Sequence, residues 1–386
     1  MNKMGMSTSA TLRNLVFGLA AFALLWTPRA QAIETKAKQA ILLDFNTGAV
    51  LFEKEPDTRM APSSMSKLMT VFMLLEALKD GRLSLEDTFP VSKKAWKMGG
   101  SKMFVEVDTR VKVEDLLRGI IVQSGNDACI VVAESLGGSE SAFAQLLTAK
   151  AHDLGMVNSN FMNASGWPHK EHWSTARDLS ILARETIASF PEYYHYYSER
   201  SFTFNKIRQG NRNPLLFKEM GADGLKTGHT EAGGYGLTAS AQRNGRRLIM
   251  VVNGLKSVRA RASEAERLME WGFREFGNYD LFRAGDTVLE APVWLGEAGQ
   301  VPLIIEEDLI ITLKRTARKK MKVTVSYEEP IPAPVVKGTR LATLHISAPE
   351  SEVHEIPLVA GENVPLLGPL GRLVAAVNYL IWGGNG

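Results

Sequence analysis

Ala61-Pro62-Ser63-Ser64-Met65-Ser66-Lys67-Leu68-Met69-Thr70 joins a proline-marked turn to the start of an apolar helix. Beyond Pro62, residues Met65, Leu68, Met69, Phe72 and Leu75 recur at helical spacing as far as Leu78, with Lys79 in the last turn and Gly81 as the C-cap. The pattern places Ser64 in the first turn of that helix. Lys67 lies three residues on and shares its face, with Cβ atoms about 5–6 Å apart, while unpaired backbone N–H groups point out of the helix start. A hydroxyl, a base and oxyanion donors meet there. An alcohol attacks poorly at neutral pH unless a neighbour takes its proton, and a lysine does so only when burial or a second cation depresses its pKa. Ser64 is therefore read as a nucleophile and Lys67 as its base, with the second cation to come from elsewhere in the chain.

Working outward, Ala40 to Phe45 and Ala49 to Phe52 flank Asn46-Thr47-Gly48, a hairpin signal just upstream of the serine turn. Downstream, Val113 to Val122, Asp127 to Leu136 and Ser141 to Leu154 read as helices, the first two separated by Ser124-Gly125-Asn126. Asn163-Ala164-Ser165-Gly166-Trp167-Pro168 is turn chemistry, and Thr175 opens a helix running to Ile187. The tyrosine run Tyr193 to Tyr197, with no basic residues around it, reads as packing at a helix end. Strands follow at Gly224 to His229, Tyr235 to Ala241 and Arg247 to Asn253, the last two joined by Asn244-Gly245, and Ala262 to Phe276 returns to helix. Strands, helices, strands and a last helix describe an α+β fold: an antiparallel sheet flanked by helices, with an inserted helical region. Around Gly277 the pattern changes to short alternating strands at Thr287 to Trp294, Leu309 to Leu313, Lys322 to Tyr327 and Leu341 to Ile346, a small all-β domain.

The ends of the chain read differently. The first 32 residues carry Lys3 and Arg13, an apolar core from Leu15 to Trp26, a breaker at Pro28 and the cleavage-type Ala30-Gln31-Ala32, the form of a secretory signal. Twelve apolar residues make about 18 Å of helix against a bilayer core of about 30 Å, too short for a permanent span. At the other end Leu373, Val377, Leu380 and Ile381 share a helical face, with Trp382 beside them, so the tail from 364 to 386 is expected to lie in a membrane interface. The division expected is 1–32 signal, 33–277 catalytic domain, 278–363 β domain and 364–386 tail.

Composition bounds the function. Three of the 45 basic residues and none of the 42 acidic ones lie in the first 32, so the remainder is formally neutral and nothing points to nucleic acid. One cysteine, Cys129, in an apolar helical run, reads as a buried hydrophobe. His169 and His172 have ligand-like spacing, but the loop offers no third ligand, and no metal or other cofactor is expected.

Ser64 and Lys67 as S-x-x-K, Ser124 and Asn126 as S-x-N, and Lys226, Thr227 and Gly228 as K-T-G each occur once, in that order: a helix start, a tight turn and a strand. Acyl transfer from an amide needs a nucleophile, a proton path, oxyanion donors and a hold on the substrate. Ser124 can relay a proton between lysine and leaving amine, and the Asn126 amide can bind a substrate carbonyl. Lys226 is expected to be the second cation, Thr227 to bind an anionic terminus, and Gly228 to let an added substrate strand approach closely.

With these three segments, and with Pro62 to Lys67, Gln123 to Ala128 and Asp223 to Thr230 as the matching stretches, the chain resembles the low-molecular-mass penicillin-binding proteins, the serine D-Ala-D-Ala carboxypeptidases. The small β domain and amphipathic tail are similar to that family's as well. The resemblance implies that Ser64 attacks the bond between the last two D-alanines of a peptidoglycan stem peptide, releases D-alanine and forms an acyl-enzyme that water resolves. It also implies acylation by β-lactams, an oxyanion hole from the N–H groups of Ser64 and His229, Arg261 near the substrate carboxylate, and a site at the periplasmic face of the inner membrane. No E-x-x-L-N segment lies between Asn126 and Lys226, and Asn126 stands where class A β-lactamases carry aspartate, so the resemblance favours the carboxypeptidases. Two alternatives stay open: an endopeptidase cutting peptide crosslinks with the same residues, and a scaffold that binds wall peptides without cleaving them.

Overall fold

The computed structural model describes residues 33–382, so the expected signal segment lies outside the described residues. Strands β1 (Gln39–Asp44) and β2 (Val50–Lys54) form the first hairpin. Helices α1 (Lys67–Lys79), α2 (Asn126–Gly137), α3 (Glu140–Asp153) and α4 (Ala176–Ser189) follow. The chain then returns to the sheet through β3 (Ala222–Thr230), β4 (Gly234–Arg243) and β5 (Arg246–Leu255) before helix α5 (Val258–Glu275). The sheet is antiparallel in the order β2-β1-β5-β4-β3, leaving β3 on the edge. Asn244 and Gly245, both with positive φ, make the β4–β5 turn, as an Asn-Gly pair does in a two-residue hairpin.

Alternation along these strands builds two interfaces. Ile41, Leu43, Ile249 and Val251 join the core that holds α1 and the helical region, while Leu42 and Leu248 meet α5 at Gly272, where a Cβ would stand 2.6 Å from Leu42. Helix α1 differs from an amphipathic surface helix: Leu68, Met69, Val71, Phe72, Leu74, Leu75 and Leu78 are all buried, on every side of it. It is the central post, packed against α2, α3, α4 and β3. Each of those side chains contributes about 1.5–3 kcal/mol on burial. Cys129, on α2, is fully buried in this core, where burial pushes its thiol up to about 12.

Two local readings change. Ser64 does not lie in the first α-turn; Ser63–Ser66 form a 3-10 turn ahead of α1, because Ser63 takes a left-handed φ of 52° and tightens the entry. The helix expected through Val122 is α-helical only over Val113–Arg118, then widens to a π-turn over Gly119–Gln123 that ends at Ser124.

Beyond α5 the chain is all-β apart from a short 3-10 turn and the tail. Strands β6 (Phe276–Phe282), β7 (Thr287–Trp294), β8 (Gln300–Ile304), β9 (Leu309–Lys314), β10 (Lys322–Tyr327), β11 (Ile331–Pro332), β12 (Arg340–Ser347) and β13 (His354–Ala360) pair as β6-β9 and as β10-β12-β13-β8-β7-β11. They enclose a separate core that includes Val301, Leu303, Ile311, Leu313, Leu344, Ile346 and Leu358. The character change expected at Gly277 falls inside β6, which leaves α5 without a linker. A last helix, α6 (Pro369–Trp382), exposes Leu370, Leu373, Val374, Val377 and Leu380.

Candidate active site

Three elements meet at Ser64: the 3-10 turn, the Ser124 turn and the edge strand β3. Met65 locks the first to the third. A Cβ on Gly228 would stand 2.8 Å from Pro62 O and 3.1 Å from Met65 Cγ, and one on Gly236 would stand 2.6 Å from Met65 Cε. Gly228 thus has a reason other than the expected approach of substrate: it lets the nucleophile's turn lie directly on the strand. The Ser63 hydroxyl bonds Thr230 Oγ1 at 2.8 Å, and the Ser66 hydroxyl donates to Ser63 O at 2.8 Å.

His172 braces the same turn. Its Nδ1 accepts the Met162 N–H at 3.1 Å, so the ring proton sits on Nε2 and is donated to Ser66 Oγ at 2.8 Å. Burial pushes this imidazole down to about 4 and keeps it neutral. Both ring nitrogens are engaged, which assigns the residue to the frame of the site.

Lys67 is fully buried at the centre. Its Nζ lies 3.0 Å from Ser64 Oγ, 2.7 Å from Asn126 Oδ1 and 2.5 Å from Ser165 O. Two of those partners are carbonyl oxygens that only accept. A neutral amine has two N–H bonds for them and one lone pair left, which faces the hydroxyl of Ser64. Desolvation lowers Lys67 to about 8; Cys129 and Asp127 oppose this, and Arg212 adds to it. Lys226, the expected second cation, is coupled to Lys67: burial, the Lys67 charge and Arg212 hold Lys226 itself well below its ordinary value. The guanidinium of Arg212 supplies a further positive charge that lowers both amines.

Asn126 is held by its own donation to Gly99 O at 2.9 Å, which leaves its second amide N–H for a substrate carbonyl. Asp127 fixes the surrounding loop by accepting the N–H groups of Met103 and Phe104, both at 2.9 Å. Ser124 adopts a left-handed conformation, and its Oγ is buried with no partner among the described residues. On β3, Thr227 is buried, and Lys226 Nζ donates to Thr227 O at 3.3 Å. His229 is exposed and stacks on Tyr235 at 3.9 Å. Arg261, buried on α5, faces the Tyr235 ring at 5.9 Å, and its Nε has no partner among the described residues.

The loop read only as a turn supplies what sequence reasoning missed. Asn163 Oδ1 accepts from the N–H groups of Ser165 and Trp167, folding the loop so that Ser165 O reaches Lys67. Gly166 has φ +75°, and a Cβ there would stand 1.9 Å from Ser63 O. Gly166→Ala is expected to cost about 2–4 kcal/mol and to slow acylation of Ser64, read from the thermal midpoint and from labelling kinetics. Unchanged values for both would contradict this packing.

Residues 27–257 match the family model for D-alanyl-D-alanine carboxypeptidase. The chain belongs to that family. Residues 276–366 match the C-terminal domain of penicillin-binding protein 5. The D-alanyl-D-alanine carboxypeptidase DacC of Escherichia coli is 38% identical over 380 residues, 95% of each chain. Penicillin binding protein 5 from Haemophilus influenzae superposes with a TM-score of 0.78 at 35% identity, covering 86% of this chain and 98% of that one. Penicillin-binding protein D2 from Listeria monocytogenes, solved in the ampicillin-bound form, matches with a TM-score of 0.58 at 30% identity over 62% of this chain and 98% of its own. The protein is thus a serine D-alanyl-D-alanine carboxypeptidase with the family's α+β fold and trailing β domain.

Proposed function

We propose that Ser64 Oγ attacks the carbonyl between the last two D-alanines of a peptidoglycan stem pentapeptide, with Lys67 taking its proton. The observation carrying this is the Lys67 amine, buried and bounded by two carbonyl oxygens, with one direction left toward Ser64 Oγ. Ser124 passes the proton to the leaving D-alanine amine, Asn126 holds the acyl-side carbonyl, and the N–H groups of Ser64 and His229 receive the oxyanion. Thr227, Lys226, Arg261 and Arg212 bind the terminal carboxylate. Water then resolves the acyl-enzyme. β-Lactams acylate Ser64 by the same route, a reading supported by the ampicillin-bound form of the Listeria relative. The test is product identity: pentapeptide should yield D-alanine and tetrapeptide, whereas cleavage of crosslinked dimers with the pentapeptide left intact would assign an endopeptidase.

The same reading places the mature enzyme from residue 33 outside the cytoplasmic membrane, its catalytic part ending near 277, its β domain near 363, and its tail on the periplasmic face of that membrane. No helix among the described residues is long and apolar enough to cross a bilayer, while α6 exposes five apolar side chains. That fits a helix lying in the interface. Leu367 N donates to Leu295 O, so the β domain holds the chain up to that point. Removing residues 369–386 should therefore release the enzyme from vesicles with its acylation rate unchanged; retention on the vesicles would place the anchor elsewhere.

A further inference from the structure

At the far end of the sheet from Ser64, a cavity of about 730 Å³ opens where the β4–β5 turn and the end of α5 meet β6 and β9. Its walls are rich in donors. Arg246 spends Nε on Asp44 and Asn278 and Nη1 on Phe276 O and Gly272 O, but its Nη2 is buried with no partner among the described residues. Arg315 bonds the Arg274 and Phe273 carbonyls at the end of α5 through Nε and Nη2, and no carboxylate pairs with it among the described residues. Its Nη1 is left over. The Tyr279 hydroxyl makes no hydrogen bond among the described residues. A Cβ on Gly277 would stand 3.3 Å from both Arg315 Nη1 and Tyr279 Oη, so the two groups converge over a bare stretch of backbone. Of the acids in the wall, Glu270 is clamped by Arg243, and Asp280 points from an exposed position on β6.

We infer that this cavity is a binding site for a phosphoryl group. Arg315 Nη1 and the Tyr279 hydroxyl offer donors from separate directions, with the Arg246 guanidinium in the same wall. A tetrahedral dianion accepts from both and keeps oxygens for solvent and for the group that carries it, whereas a planar carboxylate spends both of its oxygens there. Burial lowers the pKa of Arg246, Asp44 opposes, and the charge of Arg315 adds to the lowering, so an anion between the two guanidiniums relieves their repulsion. The cavity is larger than a bare phosphate needs, which leaves room for a phosphoryl group carried on a small polyol. Bound there, the anion ties the β4–β5 turn of the catalytic part to β6 and β9, well away from Ser64.

Calorimetry on the full mature chain at constant ionic strength tests this, with inorganic phosphate and glycerol phosphate as the probes. Saturable binding is expected for wild type, weakened about tenfold in Tyr279→Phe, Arg315→Gln and Gly277→Ala, the last because its methyl fills the point where the donors meet. Penicillin labelling of Ser64 should stay unchanged in all three, which reports that they fold and keeps this test separate from the catalytic reading. Tighter binding of glycerol phosphate would identify a headgroup-type ligand, and tighter binding of phosphate the free ion; either supports the site. No saturable heat with either probe, or equal binding by wild type and all three variants, would overturn it.

Discussion

Ser64→Ala should lose both penicillin labelling and D-alanine release, by roughly 10⁴-fold or more, while folding normally. The hydroxyl is the atom that forms the acyl bond, and none of the neighbouring hydroxyls can replace it. Ser63 Oγ is engaged with Thr230, Ser66 Oγ with Ser63 O and His172, and neither contacts Lys67 Nζ. Ser124 Oγ is unpartnered but sits on a separate turn. Removing one partly exposed oxygen from the 3-10 turn leaves Met65 seated against Gly228 and Gly236, so the thermal midpoint should move little. Retained turnover in this variant would remove Ser64 from the mechanism.

Lys67→Arg should slow acylation by about 10²–10⁴-fold, the range expected when a general base is lost. Arginine keeps the positive charge but does not surrender its proton in this pH range, and its planar fork does not match two carbonyls and one hydroxyl set around a single nitrogen. A purely electrostatic role for Lys67 would predict much of the rate to survive. Comparison with Lys67→Met separates the two effects: methionine removes base and charge together, so similar rates in both variants would show that proton transfer is what the lysine supplies. Acylation at the wild-type rate in Lys67→Arg would rule the lysine out as base.

The three motifs were legible because each marks a local event: a turn into a helix at Pro62, a tight reversal at Gly125, and a β-rich run at Leu225 to His229. The sheet was legible for the same reason, through Asn244-Gly245 and the apolar alternation around it. What could not be read was non-local. Ser165 belongs to a run of turn residues, and nothing in its neighbourhood tells that its carbonyl ends 2.5 Å from a lysine 98 positions away. Arg212 sits in a Gly-Asn-Arg-Asn-Pro stretch that reads as loop, yet it is the cation that helps depress both Lys67 and Lys226. In the β domain, β6 escaped because Gly277, Asn278 and Asp280 dilute its apolar alternation.

The pH dependence of wild-type acylation bears most directly on a neutral Lys67 as base. Its pKa is lowered from 10.5 to about 8, so below that value the amine is mostly protonated, and the fraction able to accept a proton falls about tenfold per pH unit. The second-order rate of penicillin acylation should therefore climb with pH from 6 to about 8 and level off above it, with the same midpoint in the tail-deleted enzyme. A rate that is flat from pH 6 to 9, or one that falls as pH rises, would mean that Lys67 acts in its charged form and that the proton of Ser64 goes elsewhere.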